Sequence, residues 1–174
     1  MKIEYAIRAY IGHLTTNAGK AQRTVAGYHR DLKAYQAYLE AHGIVDTDAI
    51  QDMDIESFLR HMVKTYAANS LARYAASIRS FHHFLAFFYD AKDPSLNIEV
   101  HHADGKLPVY ATVAEINQLL ASFDDQDPRQ AMEHAVLEML YACGLRVSEV
   151  CALTVNRVNL ENGMLRVIGK GNKE

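Results

Sequence analysis

Four stretches in the first 90 residues carry apolar side chains at the spacing of an amphipathic helix, about 3.6 residues per turn. They cover residues 3–17, 21–41, 52–66 and 70–89, and short polar or glycine-containing breaks separate them. An isolated helix of this length is marginal in water, so each stretch must bury its apolar stripe against the others. The pattern therefore predicts a compact domain of four helices over residues 1–92.

The fourth stretch shows this division between apolar and polar faces most clearly, with Asn69 or Ser70 as its expected N-cap. The apolar positions expected to face the core are Leu71, Tyr74, Ile78, Phe81, Leu85 and Phe88. Phe84 and Phe87 are also interpreted as packing residues. The polar positions expected to face outward are Arg73, Ser77, Arg79, Ser80, His82 and His83.

A polar segment with glycine and proline follows and is predicted to be a linker over residues 93–110. The remaining residues, 111–174, form a second part with a different pattern. Thr112 and Glu115 have the spacing of a capping box, which predicts a helix to about residue 122. Pro128 suits the first turn of a longer helix, and Gly144 suits the end of that helix.

The C-terminal end is predicted to contain β-structure after a further helix over residues 145–154. Asn162-Gly163 is a turn signal, and residues 164–168 are rich in branched side chains. Residues 169–172 then resemble a hairpin turn whose partner strand would come next. We therefore expect the sequence to be a piece of a longer chain.

The charges are unevenly distributed, although the net charge is only −3. No Asp or Glu occurs from Ser57 to Tyr89, and a second basic cluster over residues 20–33 is interrupted only by Asp31. Such clusters form either a surface for nucleic acid or ordinary solvated helix faces. The net charge alone disfavours a simple basic nucleic-acid binder.

Several classes of protein are disfavoured by composition. No run of about 18 apolar residues predicts a membrane span, and no signal peptide is recognised at the N-terminus. Cys143 and Cys151 are expected to be reduced and to pack in the core. Tyr141 is also expected to pack in the core. The histidines, including the adjacent pair His82 and His83, show no metal-binding spacing. The sequence also contains no phosphate-binding loop of the Walker type. These features predict a cytoplasmic protein and supply no metal-binding pattern.

Arg146 and Glu149 lie three residues apart on a predicted helix, and Lys170 lies between two glycines. A guanidinium oriented by a carboxylate can hold a phosphate with two parallel hydrogen bonds. From spacing alone, a surface ion pair and a polar turn explain the same residues.

The order of segments resembles the tyrosine recombinase (phage integrase) family, and is most similar to its bacterial Xer type. Two segments of the second part carry the likeness: Gly144–Glu149 (GLRVSE) and Val167–Glu174 (VIGKGNKE). In the first part, residues 23–32 (RTVAGYHRDL) resemble the first DNA-clamping helix of the family. Ser70-Leu71-Ala72-Arg73 and Ile78-Arg79-Ser80-Phe81 resemble its last one.

The resemblance implies a mainly α fold. A SAM-like four-helix core-binding domain precedes the helical start of an α+β catalytic domain with a partial β-hairpin, and the two clamp double-stranded DNA. It implies that Arg146 and Lys170 are catalytic and that Glu149 supports them. It also implies a DNA-binding set, which comprises Thr24, Arg30, Ser70, Arg73, Arg79, Ser80, His82, Lys106 and Lys173.

The implied reaction is cleavage and rejoining of DNA through a 3′-phosphotyrosine, carried out without a metal or other cofactor by protomers in a DNA-bound tetramer. The family's nucleophilic tyrosine and its His/Arg motifs would lie beyond Glu174, so we expect these 174 residues alone to be inactive. Asn156-Arg157 departs from the family pattern, which often has Asp there. A helical DNA-binding regulator without enzymatic activity remains an alternative, and a helical scaffold for protein partners is disfavoured by the acid-free stretch.

Overall fold

The computed structural model describes residues 1–16, 18–98 and 109–169. The chain divides into an N-terminal unit, Met1–Lys106, and a C-terminal unit, Leu107–Glu174. The fold is mainly helical, with a single two-stranded sheet among the described residues, as the sequence predicts.

The N-terminal unit contains four helices. They are α1 (Ile3–Thr16), α2 (Gln22–Ala41), α3 (Asp52–Val63) and α4 (Ala68–Tyr89). A one-turn 3₁₀ helix, Thr47–Ala49, lies between α2 and α3. The four α-helices confirm the four apolar stretches of the sequence, and their ends differ from the expected ones by three residues or fewer. Helix α4 begins at Ala68 rather than after Asn69 or Ser70, and Ala67 takes the N-cap position.

Helix α4 packs against the other three helices of this unit. Phe81 and Tyr10 meet edge to face between α4 and α1, and Phe58 of α3 meets Tyr74 of α4 in the same way. Tyr35 of α2 also contacts Phe58. These aromatic side chains are buried and form the centre of one core. Burying such large rings is the main source of stability for a helical domain of this size.

The N-terminal unit continues past the end of α4. Asp90 takes the left-handed conformation with φ of 51°, which ends the helix. Pro94, Ser95 and Ile98 are then buried, and Ile98 belongs to the core. Part of the predicted linker therefore packs on the helices. Residues 99–108, the rest of its central part, lie outside the described residues.

The described residues of the C-terminal unit form α5 (Val113–Leu120), α6 (Pro128–Ala142), α7 (Val147–Cys151), a 3₁₀ turn (Val155–Arg157), β1 (Val158–Asn159) and β2 (Met164–Leu165). The predicted capping box is present, since the Thr112 Oγ accepts from the Glu115 N–H and the Glu115 carboxylate accepts from the Thr112 N–H. The strands are antiparallel, with Val158 opposite Leu165. Gly163, at φ of 61°, makes the turn between them, as its turn signal predicts.

None of the described residues of the C-terminal unit is fully buried. Cys143, Cys151 and Tyr141 are exposed, so the expectation that they are core residues is wrong for the described structure. The physical reason is that the C-terminal unit is the smaller of the two, and a smaller unit buries a smaller fraction of its surface.

Candidate nucleic-acid interface

Arg146 lies at the start of α7, two residues after the turn that ends α6. Gly144 makes that turn with φ of 61°, a conformation that strongly favours glycine. The turn places Arg146 at the N-cap of α7, in an extended conformation. Its side chain is therefore carried at the N-terminal end of α7.

Glu149 holds both the backbone and the side chain of Arg146. One carboxylate oxygen accepts the Arg146 backbone N–H at 2.8 Å, and the other accepts from the guanidinium Nη1 at 2.7 Å. These hydrogen bonds lower the pKa of Glu149, the backbone one more strongly than the side-chain one. Glu149 thus stays ionised and fixes the orientation of the guanidinium.

The two members of this pair differ in exposure. The side chain of Glu149 is only 11% exposed, whereas that of Arg146 is 70% exposed. A guanidinium has five N–H donors, and the hydrogen bond to Glu149 uses one donor of Nη1. The remaining donors of Arg146 face solvent and can hold the oxygens of a phosphate.

The DNA-binding residues implied for α2 and for the first half of α4 lie at accessible positions. Thr24 and Arg30 of α2 are exposed, and Ser70 of α4 is half-buried. Arg73 of α4 forms an ion pair with Asp31 of α2 and keeps 42% of its side chain exposed. Whether any of these residues contacts DNA stays a prediction.

The DNA-binding residues implied for the second half of α4 have partners inside the protein. Arg79 donates a hydrogen bond to the carbonyl of Ile98, and the Ser80 hydroxyl accepts from the Tyr10 hydroxyl at 2.7 Å. Ser77 is buried, and its hydroxyl donates to Asp31 at 2.9 Å. The expectation that Ser77 faces outward is therefore wrong, because a buried carboxylate needs its hydrogen bond.

His82 is buried in the core and does not face outward as expected from its place beside the apolar stripe. Its Nε2 lies 3.3 Å from the Tyr35 hydroxyl. Burial lowers the pKa of His82 from 6.5 to about 4, against a smaller opposing effect of Asp93. The imidazole is therefore neutral near pH 7. Phe87 and Phe88 show the opposite error, because both are expected to pack inside and are 75% and 52% exposed.

Lowering the pH from 7 to about 4.5 is expected to reduce the free energy of unfolding by about 2–3 kcal/mol through His82 alone. The unfolded chain binds this proton more tightly, so the contribution is complete above the ordinary pKa of 6.5 and is lost as the pH falls towards about 4. Urea unfolding of the His82→Gln variant should show a weaker pH dependence than the unchanged protein. His83→Gln, which changes an exposed neighbour, is the control. An identical pH dependence in all three proteins would contradict the assignment.

Three of the implied site residues, Lys106, Lys170 and Lys173, lie outside the described residues. The expected approach of Lys170 to Arg146 therefore remains a prediction. Among the described residues, no group of three or more histidine, cysteine or acidic side chains could hold a metal ion. No helix formed by the described residues has the length and hydropathy needed to cross a bilayer.

Sequence reasoning missed the role of Asp31. This residue is 1% exposed and joins α2 to α4 through Arg73 and Ser77. The available signal was its position as the single acid within a basic cluster, at helical spacing from the apolar Tyr28 and Tyr35.

Family models match both parts of the chain. The model described as the N-terminal SAM-like domain of phage integrase matches residues 7–87, and that of the phage integrase family matches residues 110–174. Among curated proteins, "Tyrosine recombinase XerD" of Staphylococcus haemolyticus is 38% identical over 99% of this chain. The protein of the same name from Staphylococcus epidermidis is 39% identical over 97%. The chain spans 59% and 58% of these two relatives.

Solved structures show a similar fold. A lambda integrase tetramer bound to a Holliday junction matches 98% of this chain and 48% of its own, with a TM-score of 0.73 at 16% identity. XerH recombinase bound to a palindromic difH substrate matches 86% of this chain and 47% of its own, with a TM-score of 0.66 at 17% identity. At these identities the likeness concerns the fold.

Proposed function

Because this chain belongs to the phage integrase family of tyrosine recombinases, we propose that it supplies the DNA-holding front portion of a site-specific recombinase. The observation that carries the proposal is the Arg146–Glu149 pair. An ordinary surface ion pair leaves both side chains exposed, whereas here the carboxylate is largely covered and the guanidinium is presented. This arrangement suits a fixed phosphate ligand.

The N-terminal unit grips the DNA backbone in this proposal. Thr24 and Arg30 of α2 and Ser70 and Arg73 of α4 supply hydroxyl and guanidinium donors from two helices in contact with each other. Phosphate contacts of this kind position a protein on a duplex without reading its sequence. Arg79, Ser80 and His82 are left out of the proposed contact set, because Arg79 is held against the segment after α4, Ser80 against α1, and His82 is buried.

The C-terminal unit begins the catalytic domain. In the complete enzyme a tyrosine oxygen attacks a DNA phosphate, the bond to the 5′-oxygen breaks, and a 3′-phosphotyrosine forms. Arg146 stabilises the charge on the phosphate during this step, and Lys170 donates the proton that the 5′-oxygen takes up. The covalent link conserves the energy of the broken bond, so the reaction needs no metal or nucleotide.

The partners follow from the same proposal. Lambda integrase, which shares the fold, forms a tetramer on a Holliday junction. We infer that the complete protein acts on double-stranded DNA together with other recombinase protomers. Its relatives are bacterial recombinases, which supports a cytoplasmic location for this activity.

The 174 residues are expected to bind duplex DNA without forming a covalent link to it. A nicked suicide substrate separates the two properties, since cleavage releases a short strand and traps the protein on the DNA. We expect a mobility shift in native gels and no adduct in denaturing gels. A full-length XerD relative is the positive control for trapping. A covalent adduct would contradict the proposed division of the enzyme, and absence of any DNA binding would contradict the function itself.

A further inference from the structure

Asp31 is a buried acid inside the basic cluster over residues 20–33 of the N-terminal unit. Burying an isolated carboxylate costs desolvation free energy, so hydrogen-bond and ion-pair partners must offset that cost. Among the described residues Asp31 has two partners, and both belong to α4. One carboxylate oxygen accepts from the Arg73 guanidinium, and the other accepts from the Ser77 hydroxyl at 2.9 Å. The carboxylate therefore fixes α2 and α4 relative to each other at this point.

Arg73 is held on two sides while part of it stays exposed. Besides the ion pair with Asp31, its guanidinium carbon lies 4.8 Å from the centre of the Tyr74 ring. A cation over an aromatic face gains further attraction and loses rotational freedom. The side chain still keeps 42% of its surface exposed, against 1% for Asp31. Asp31 uses one Nη1 hydrogen bond of a group that has five donors.

The neighbouring positions point to the same surface. Ser70 lies one helical turn before Arg73 on α4, and Thr24 lies two turns before Asp31 on α2. Two proposed phosphate-binding residues thus flank the Asp31–Arg73 link, one on each helix. A link at this place sets both the direction of the Arg73 guanidinium and the alignment of the helices that carry its neighbours.

We propose that Asp31 is a positioning residue that holds the Arg73 guanidinium in the orientation in which it binds a DNA phosphate. Asp31 does not touch DNA, and it acts only through Arg73. The inference rests on the proposed DNA-binding function of the N-terminal unit. Its energetic basis is preorganisation, because an arginine that is already fixed loses less side-chain entropy when it binds.

Charge and positioning predict opposite effects for the Asp31→Asn variant. Asparagine can keep both hydrogen bonds, with its oxygen towards Arg73 and its amide towards Ser77, but it has no charge. If only net charge matters, removing an acid should tighten DNA binding or leave it unchanged. If Asp31 positions Arg73, the weaker hold on the guanidinium should weaken DNA binding despite the gain of positive charge.

The test measures binding of a random-sequence duplex to the 174-residue chain by fluorescence anisotropy over a series of salt concentrations. At ~0.1 M salt, Arg73→Gln is expected to weaken binding roughly eightfold and to reduce the salt slope by about 0.9. Asp31→Asn is expected to weaken binding by about threefold or more, but by no more than Arg73→Gln does. In the Arg73→Gln background, Asp31→Asn is expected to have no further weakening effect.

Two controls separate positioning from charge and from unfolding. Glu56→Gln removes an exposed acid of α3 and makes the same change in net charge, and it should not weaken binding. Thermal unfolding of every variant, followed by circular dichroism, defines a temperature at which all are folded for the binding assay.

The proposal is overturned if the folded Asp31→Asn variant binds DNA as tightly as the unchanged chain or more tightly. It is also overturned if Asp31→Asn weakens binding as much in the Arg73→Gln background as it does in the unchanged chain. If Arg73→Gln has no effect while the unchanged chain binds, this proposal fails and the DNA-binding function stands. If the unchanged chain does not bind, the function itself fails.

Discussion

Replacing Arg146 with alanine is expected to lower the rate of DNA strand cleavage by about 10²–10³-fold in a complete recombinase that carries this sequence. The guanidinium is oriented by the largely covered Glu149 and presents its free donors to solvent. Such a preorganised cation acts most strongly where charge develops during the reaction, on the phosphate oxygens. DNA binding should change much less, because Arg146 supplies only one of several phosphate contacts.

The measurement requires a full-length protein, which can be made by joining residues 1–174 to the C-terminal part of the Staphylococcus haemolyticus relative. Cleavage of a nicked suicide substrate gives the rate, and a mobility-shift assay gives the affinity. Arg129→Ala is the matched control, because Arg129 is an exposed arginine of the same unit that pairs with Glu133 one turn further along its helix. Comparable losses of cleavage and binding in Arg146→Ala, or equal cleavage losses in both variants, would contradict the catalytic role of Arg146.

Raising the salt concentration from ~50 to ~200 mM is expected to weaken duplex binding by the 174-residue chain about 10³-fold. The proposed phosphate contacts include six cations: Arg30, Arg73, Lys106, Arg146, Lys170 and Lys173. Each contact releases about 0.9 counterion, so six of them give a steep decline of affinity with salt. The net charge of −3 makes this result informative, because general attraction between DNA and a basic protein cannot produce it.

Fluorescence anisotropy with a random-sequence duplex measures this slope at each salt concentration. Arg60→Gln is a useful control, since Arg60 is an exposed cation of α3 outside the proposed contact set. Removal of a contacting cation should reduce the slope by about 0.9, and removal of Arg60 should leave it unchanged. A salt-independent affinity, or an equal effect of Arg60→Gln, would contradict the proposed binding surface.

The helices of the N-terminal unit could be predicted from the sequence because their apolar spacing directly reflects burial. Leu32, Tyr35 and Leu39 of α2 are buried where the stripe places them. The turn at Gly144 and the capping box at Thr112 were also predictable, since each depends on a local conformational requirement. These features are set by neighbours within a few residues, and a single sequence contains that information.

Buried polar residues could not be predicted in the same way. Ser77 and His82 fall on the polar face of α4 when that helix is considered alone. They are buried because α2 brings Asp31 and Tyr35 against them, which depends on how two helices distant in sequence pack together. Phe88 fits the apolar spacing of α4 but lies near the end of the helix, where the core no longer covers it. Tertiary packing overrides periodicity at all three positions.

The candidate site also combines features that the sequence predicts with features that it does not. The pairing of Arg146 with Glu149 follows from their spacing on one helical turn. The unequal exposure of the two side chains does not follow from spacing, and it is the feature that distinguishes a presented guanidinium from an ordinary surface pair. The partners of Arg73, Arg79 and Ser80 could not be predicted from the sequence either, since each partner lies on another segment of the N-terminal unit.

A crystal structure of the 174-residue chain with a DNA duplex tests the central claim most directly. We expect phosphate oxygens at about 2.7–2.9 Å from the guanidinium groups of Arg146 and Arg73, with Glu149 and Asp31 still bound to them. A duplex bound through other surfaces, with both guanidinium groups away from any phosphate, would contradict the assignment of this chain as the DNA-holding portion of a recombinase.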